Sequence, residues 1–528
     1  MDPLFPFLLG YLELHHRFRW FPFSRYFVRQ PEIYADLPFR MGPGRTLPVT
    51  VLVKDARRFP LRLETVTVEL EQERHRIQER FSVQRDISSP FYDQTFRLEV
   101  PAEFSQPTVQ VWIEATLLSS GQSLRVRNHN VKTTAPFSLS ILIDPDPLPG
   151  SDLYWWGDLH YHSNFTEDFV EFGASLRATR QAAAALGLDF VAVTDHSYDL
   201  DDRPGSWTES DPDLQKWQRL QQSIRELNTR GTPLLLAGEE VTVRNQRGRN
   251  VHLLVYDHPR FIPGSGDGAE KPLHTRSEFS VRDVVEQVGP AGLTLAAHPR
   301  VIVSPLERLL LNRGRWETAD LRVPGLDGWQ ALNGRPDAAF ADALNVWVEA
   351  LLQGERPALL AGNDAHGNFN AFHQISLPMW STRVHRRQIL GQARTGVLKR
   401  GPCSPETILD QCRRGAAIIT DGPALRLAVQ SETREWTLGD TCTEPVRDVV
   451  IAARSTPVWG RLSRVTLYVG HIGESTERVR DLPLDGYEWR EQLPCPEGLT
   501  QGYVRARVET TTGRTAWTNP VWIESGQS

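Results

Sequence analysis

Between Tyr154 and about residue 398, short apolar runs alternate with helix-like stretches, and most of the runs hand over to a histidine, aspartate or glutamate. Strand and helix in turn argue a parallel sheet, most economically one closed into a barrel. Residues 174–186 are rich in alanine and stop at Gly187, a natural helix end. Residues 188–194 then read as a buried strand, 213–230 as a helix and 233–237 as the next strand. Further on, 281–288 and 338–352 read as helices, and 293–297 and 358–361 as strands. Arg247-Gly248-Arg249 turns a short hairpin. Two stretches break the pattern, 261–279 and 301–323; the first, with Gly264, Gly266 and Gly268, reads as a loop that covers a site.

The polar residues at the ends of these runs are the functional signal. In Gly157-Asp158-Leu159-His160-Tyr161-His162 the period of a strand puts His160 and His162 on one side, where two imidazoles can share a metal ion. Such a pair is weak alone. It gains weight from Asp195-His196 after Phe190-Val191-Ala192-Val193, Glu239-Glu240 after Leu234-Leu235-Leu236, His252 on the hairpin, His298 after Ala296-Ala297, and Asp364 with His366 after Leu359-Leu360-Ala361. Strands that deliver polar residues to one end of a barrel are how such folds build active sites. Singly, His252 or His298 would be an ordinary interior histidine, and Glu240 a helix cap or an ion-pair partner. Jointly that account is strained, because about eight ionisable groups buried at one barrel mouth without a cation would cost several kcal/mol for each unpaired group. Glu239 should point away from Glu240 and be structural. Asp195 either orients a ligand or water, or caps the following turn. Asn333 either reaches the site or stabilises the turn at Gly334.

Both flanks are different in kind. From about residue 48 to 143, alternating segments such as Val49-Thr50-Val51-Leu52-Val53 and Val109-Gln110-Val111-Trp112-Ile113 predict half-buried strands separated by Pro, Gly and Ser turns, hence a β-sandwich for packing or self-association. The proline-rich joint Asp144-Pro145-Asp146-Pro147-Leu148-Pro149-Gly150 closes it. After a short helix at 406–413, alternation returns in Val465-Thr466-Leu467-Tyr468-Val469 and predicts a second all-β module. The boundaries expected are 1–47 for an N-terminal extension, 48–150 for the first β module, 151–400 for the barrel and 401–528 for the second module.

With 528 residues the chain exceeds one hydrophobic core. Its net charge of −6, with both signs interspersed, provides no basic field for nucleic acid. Prolines and charges interrupt the apolar first twenty-three residues, so neither a signal peptide nor a membrane span is read there, and a cytoplasmic protein is expected. Cys403, Cys412, Cys442 and Cys495 share no C-x-x-C spacing and read as reduced thiols.

Laid out in order, Asp158-Leu159-His160-Tyr161-His162-Ser163, Gly187-Leu188-Asp189-Phe190-Val191-Ala192-Val193-Thr194-Asp195-His196, Gly238-Glu239-Glu240, His252, Ala297-His298-Pro299 and Asn363-Asp364-Ala365-His366-Gly367 resemble the PHP (polymerase and histidinol phosphatase) superfamily, and more narrowly its CehA/McbA-like metallohydrolases. The resemblance implies a distorted (β/α)7 barrel, here flanked by N-terminal and C-terminal β-sandwich-like modules, with two or three divalent metal ions, Zn, Mn or Fe, at the strand ends. It implies that His160, His162 and Asp364 hold the first ion, that Glu240 bridges to a second bound by His252 and His298, and that His196 and His366 serve a third. Where relatives carry a Ser-Asp-Gly-like turn or a histidine, this chain reads Asn164-Phe165-Thr166-Glu167-Asp168; Glu167 or Asp168 then replaces the ligand with a carboxylate, and Asp168 is taken as the ligand.

Two or three ions about 3.5–4 Å apart clamp an oxyanion and lower the pKa of a metal-bound water, which becomes the attacking group. No serine or cysteine nucleophile is then needed, and no Gly-x-Ser-x-Gly elbow occurs in the middle region. The leading expectation is a phosphoesterase on a small soluble phosphate ester, with Arg300, directly after His298-Pro299, either as the assisting cation or as a plain salt bridge, and Asp195 as an auxiliary group. Arg244, Arg249, His274 and Arg276 are weaker candidates. The alternatives are a carbamate, amide or carboxylic ester hydrolase on the same metals, favoured if Trp207, Trp316 and Trp329 line the pocket, and a non-catalytic metal-binding or scaffold protein. The expected partner is a small-molecule substrate, with neither nucleic acid nor membrane, and self-association through the β modules remains open.

Overall fold

A computed structural model describes residues 30–131, 138–166, 173–203, 206, 209–266, 274–370, 388–496 and 498–524. Alternating sequence at the N-terminal side becomes ten strands: β1 (Glu32–Asp36), β2 (Arg40–Met41), β3 (Thr46–Lys54), β4 (Leu61–Gln72), β5 (His75–Ile87), β6 (Phe91–Glu99), β7 (Thr108–Leu117), β8 (Ser123–Arg127), β9 (Leu139–Ser140) and β10 (Leu142–Ile143). They form a three-stranded sheet, β1-β3-β6, facing a larger one in the order β5-β4-β7-β8, with β9 on β7. Every second residue points inward, so Val49, Val51 and Val53 from one sheet meet Val66, Val109 and Val111 from the other in one buried cluster. β1 lies in the stretch expected as an extension, yet it is the antiparallel neighbour of β3 from Glu32↔Lys54 to Asp36↔Thr50. Its five residues are all buried, so the period-2 signal is missing there.

The middle of the chain carries β11 (Tyr154–His162), α1 (Leu176–Leu186), β12 (Phe190–Val193), α2 (Ser197–Leu200), α3 (Gln215–Asn228), β13 (Leu234–Arg244), β14 (Asn250–Tyr256), α4 (Val281–Val288), β15 (Leu293–Ala297), α5 (Pro305–Leu310), β16 (Gly328–Asn333), α6 (Ala338–Leu352), β17 (Ala358–Gly362), β18 (Ala365–His366) and β19 (Arg394–Leu398). α1 starts on Ser175, whose side chain accepts from Ala178 N, and stops at Gly187 in the left-handed region. β11 to β17 lie side by side in chain order. β18, directly after β17, pairs in parallel with β11 at Tyr161↔Ala365 and His162↔His366, which brings the last strand back to the first. The sheet is not parallel throughout: β13 and β14 are joined antiparallel, as the hairpin at Gly248 requires, and β15 is antiparallel to β14.

The last segment comprises β20 (Ala417–Thr420), β21 (Ala424–Gln430), β22 (Glu435–Thr437), β23 (Thr441–Cys442), β24 (Asp448–Arg454), β25 (Leu462–His471), β26 (Arg478–Gly486), β27 (Glu488–Pro494), β28 (Gln501–Thr510), β29 (Thr515–Thr518) and β30 (Val521–Glu524), preceded by α7 (Pro405–Arg413). β22-β21-β24-β27 form one sheet, while β29-β28-β25-β26 continue the middle sheet through β19 and β20. Hydrogen bonds therefore run unbroken from the strand that carries His160 into the C-terminal module. All four cysteines are free thiols. No helix among the described residues is long and apolar enough to cross a membrane.

Candidate metal centre

β11 is buried along its whole length and sends its residues to two sides. Leu159 and Tyr161 enter apolar clusters, which leaves Asp158, His160 and His162 facing the other way. Gly362, at the end of β17, lies so close that a Cβ there would come within 2.6 Å of the His160 Cβ, so this position requires glycine. A backbone bridge sets His196 beside Glu240, and Asp364 N donates to His160 O over 2.9 Å. His298 and Asp364 both adopt left-handed backbone, with φ of 29° and 52°. That conformation is costly for residues with a Cβ and recurs at functional sites.

Six imidazoles and two carboxylates converge. His160 Nε2 and His162 Nε2 stand 3.1 Å apart, about the spacing of two ligands that each lie about 2.1 Å from one ion. Asp364 Oδ1 is 3.5 Å from the first and 3.3 Å from the second. Glu240 is approached by five histidines: His252 at 2.7 Å, His196 at 3.0 Å, His160 and His162 at 3.4 Å, and His298 at 3.5 Å. His162 stacks on His366 with ring centres 4.0 Å apart. Three sets of donor atoms, each set within 4.8 Å, result: His160, His162, Glu240 and Asp364; His196, Glu240 and His252; His162, His196 and His366. His196 thus stands between two sets, whereas the resemblance gives it to one, and His298 reaches Glu240 and, at 3.9 Å, Asp364.

Burial and charge set the protonation of this cluster. Burial alone would raise the Glu240 carboxyl, but His160 and His162 outweigh it and hold it well below the usual range. For Asp364 burial is likewise outweighed, by His160 and His162. The converse holds for His160 and His162: burial opposes their charge, yet Glu240 and Asp364 raise both. His252 goes the other way, because burial exceeds the pull of Glu240 and pushes it down to about 4, leaving a neutral imidazole.

Behind these groups stands a layer of partners that the sequence reading did not single out. The Gln330 Oε1 accepts from His160 Nδ1 at 3.2 Å and from His298 N at 3.0 Å. A proton on Nδ1 leaves the His160 Nε2 lone pair facing the cluster. Asp158, pushed up to about 6 by burial, accepts from His160 N, Asn363 N, Asn363 Nδ2 and Gly391 N and so ties β11 to the end of β17. Gln388 Nε2 donates to Asp364 Oδ2 over 2.9 Å, and Tyr198 stacks on His196. The available signal was a glutamine inside the apolar strand Trp329-Gln330-Ala331-Leu332, and polar residues flanking the ligand motifs.

Other candidates stand elsewhere. Asp195 accepts from Ser163 N, Ser163 Oγ, Thr166 N and Thr166 Oγ1. Thr166 Oγ1 lies 3.5 Å from His162 Nδ1, so Asp195 acts on the cluster through the turn it orders. The Arg300 guanidinium, expected to assist at a phosphoryl group, is engaged with Trp316 O, Thr318 Oγ1 and Asp342. Arg244 binds the carbonyls of Ser277 and Glu278, and Arg249 that of Arg308 and the Asn312 side chain. Trp316 and Trp329 are sealed in a core cluster. Glu239 turns away from Glu240, as expected, and accepts from Ile262 N and Ser197 Oγ, with burial pushing it up to about 8. The Asn333 side chain receives Gln330 Nε2 at 3.4 Å. Glu167, Asp168 and Trp207 lie outside the described residues.

No family model and no curated protein matches the chain. Among solved structures, similarity is found to a glycosyl hydrolase family 2 member from Bacteroides cellulosilyticus DSM 14838, with 9% identity over 94% of this chain and 63% of that one and a TM-score of 0.18. The β-glucuronidase of Bacteroides uniformis gives 10% identity over 93% and 60%, TM-score 0.16. A Paenibacillus sp. cycloisomaltooligosaccharide glucanotransferase gives 11% over 93% and 71%, TM-score 0.18. This chain spans less than two thirds of the length of the first two. Scores this low transfer neither a fold nor an activity. The phosphoesterase expectation is corrected on this chain's own geometry: Arg300, the cation that reading needed, is held by Trp316, Thr318 and Asp342.

Proposed function

We propose that this chain is a metal-dependent enzyme whose cluster binds two or three divalent ions and activates water for hydrolysis. The observation that carries the reading is the enclosure of one carboxylate, Glu240, by five imidazoles, with His160 and His162 aimed at a shared point. Several donor atoms there have no other use. His252 Nε2 is buried without a hydrogen-bond partner, and the facing atoms Glu240 Oε2 and His196 Nδ1 lie 3.0 Å apart without making a hydrogen bond. Imidazole and carboxylate donors without thiolate suit Zn, Mn or Fe.

His160, His162, Glu240 and Asp364 would hold one ion, His196, Glu240 and His252 a second, and His162, His196 and His366 a third. Bound divalent ions lower the pKa of a coordinated water and polarise the oxygen of the bond under attack. The protein's own part is orientation and exclusion of solvent. Gln330 fixes His160 and the His298 backbone, and the Asp195 turn sets His162 through Thr166. His160 and His162 are wholly buried, whereas the Asp364 and His298 side chains keep 15% and 13% exposure, so these two mark the side from which a substrate enters.

Elemental analysis of the full chain purified without chelators tests the reading, alongside turnover of a panel of chromogenic esters, amides and glycosides before and after chelation. Two to three equivalents of metal, turnover lost on chelation, and loss of both in His160→Ala are expected. A wild-type protein that holds no metal, or turnover indifferent to chelation, would overturn it.

A further inference from the structure

Among the histidines that stand on strands of the cluster, His366 has the shortest strand under it. His160 and His162 sit in a nine-residue strand and His252 in a seven-residue one. His366 ends a strand of two residues, β18, held by two paired positions on β11. Its placement therefore depends on what secures the chain just beyond it. Leu390 N donates to Asn368 O over 2.9 Å, and the other bonds come from another module. Phe369 N donates to Asp36 Oδ2 over 2.7 Å, while Asp36 Oδ1 takes Leu37 N at 2.8 Å. Phe39 N returns a bond to Phe369 O at 2.9 Å, and Asn370 Nδ2 reaches Ser140 O at 2.6 Å. Asp36 and Phe369 are both fully buried, and a carboxylate that receives backbone N–H groups away from water forms charge-assisted bonds, among the stronger ones available to a loop.

We propose that Asp36, on β1 of the N-terminal sandwich, is a positioning residue for the metal centre: it fixes residues 366–370 from outside and so completes the ion site formed by His162, His196 and His366. The inference rests on the metal-dependent reading above and adds to it that the sandwich is part of the site's support. Asn at position 36 has the same shape but replaces one acceptor oxygen by a donor, which faces either Phe369 N or Leu37 N. The loop then loses its charge-assisted bond, keeping those to Phe39 N and Ser140 O, while the strands that carry the other ligands remain. Groups that orient ligands from behind are worth about 10- to 100-fold in metal affinity.

The test compares full-length wild type with Asp36→Asn, loaded with Zn(II) or Mn(II) and passed over a desalting column. One metal equivalent fewer is expected in the variant, with the remainder retained. Amide exchange on wild type, stripped and then reloaded with the same ion, is the second measurement and applies even if the variant does not fold. Reloading is expected to slow exchange in peptides covering residues 33–41 as well as 366–370. Protection confined to the ligand strands, or a variant that keeps the wild-type stoichiometry, overturns the proposal while leaving the metal centre intact. A wild type that binds neither ion overturns the functional reading and this inference with it.

Discussion

Two regions of this molecule bury several charges, and they solve the same electrostatic problem in opposite ways. At the junction of the three modules, Arg40 pairs with Asp144 at 2.8 Å, both almost wholly buried, and donates to the carbonyls of Leu186 and Asp146. Arg394, which burial pushes down to about 9, donates to Gly391 O and Gly422 O and lies 4.8 Å over the Trp459 ring. Arg514 faces Asp421 at 3.2 Å. Charge there is met by opposite charge, carbonyl oxygens and aromatic faces that the chain itself supplies. In the histidine cluster the chain instead crowds lone-pair donors against one another. The difference teaches that burial of charge alone is no sign of function: the sign is a set of like donors aimed at a common point.

The largest expected effects divide the two regions cleanly. Asp144→Ala should cost about 3–5 kcal/mol of stability by stranding the Arg40 guanidinium, with metal content unchanged. His160→Ala should do the reverse, releasing metal while the urea midpoint of the stripped protein stays near that of stripped wild type. If Asp144→Ala also released metal, the separation drawn here would fail. Glu239, beside the cluster but turned from it, gives an effect spread over pH. The folded chain keeps its proton to about pH 8, against 4.5 for the free group, so folding binds a proton in that window. Stability should fall by about 1.4 kcal/mol per pH unit between those limits. Glu239→Gln removes that slope, and urea titrations at pH 5 to 8 that run parallel for variant and wild type would refute it. The smallest effect is at Gln330: Gln330→Ala should weaken metal binding about 10- to 100-fold, about 1.4–2.8 kcal/mol, by freeing the His160 ring to change tautomer. Competition against a chromophoric chelator reads this directly.

Much of this architecture is legible in local pattern. The helices at 281–288 and 338–352 and the strand at 293–297 fall where their periodicity puts them, since apolar spacing and caps act within a few residues. β13 runs to Arg244, beyond the stretch expected as strand, because its second half is half of the hairpin that carries His252. α5 escaped notice although Ser304 and Glu307 form a capping box around Pro305. At the site, His160, His162, His196, Glu240, His252, His298, Asp364 and His366 all stand in the cluster. Arg300 does not serve it, because adjacency in sequence to His298 said nothing of the Trp316 carbonyl sixteen residues on.

The sequence by itself determined which residue types occur at strand ends and in what order, because strand period and side-chain chemistry are local properties. Only the tertiary structure decided what stands behind them: Gln330 against His160, 170 residues apart, Asn363 against Asp158, and Asp36 against Phe369, 333 residues apart. Such bonds depend on where whole sheets come to rest. A buried carboxylate or amide takes whichever donor packing brings to it, and no spacing along the chain records that choice.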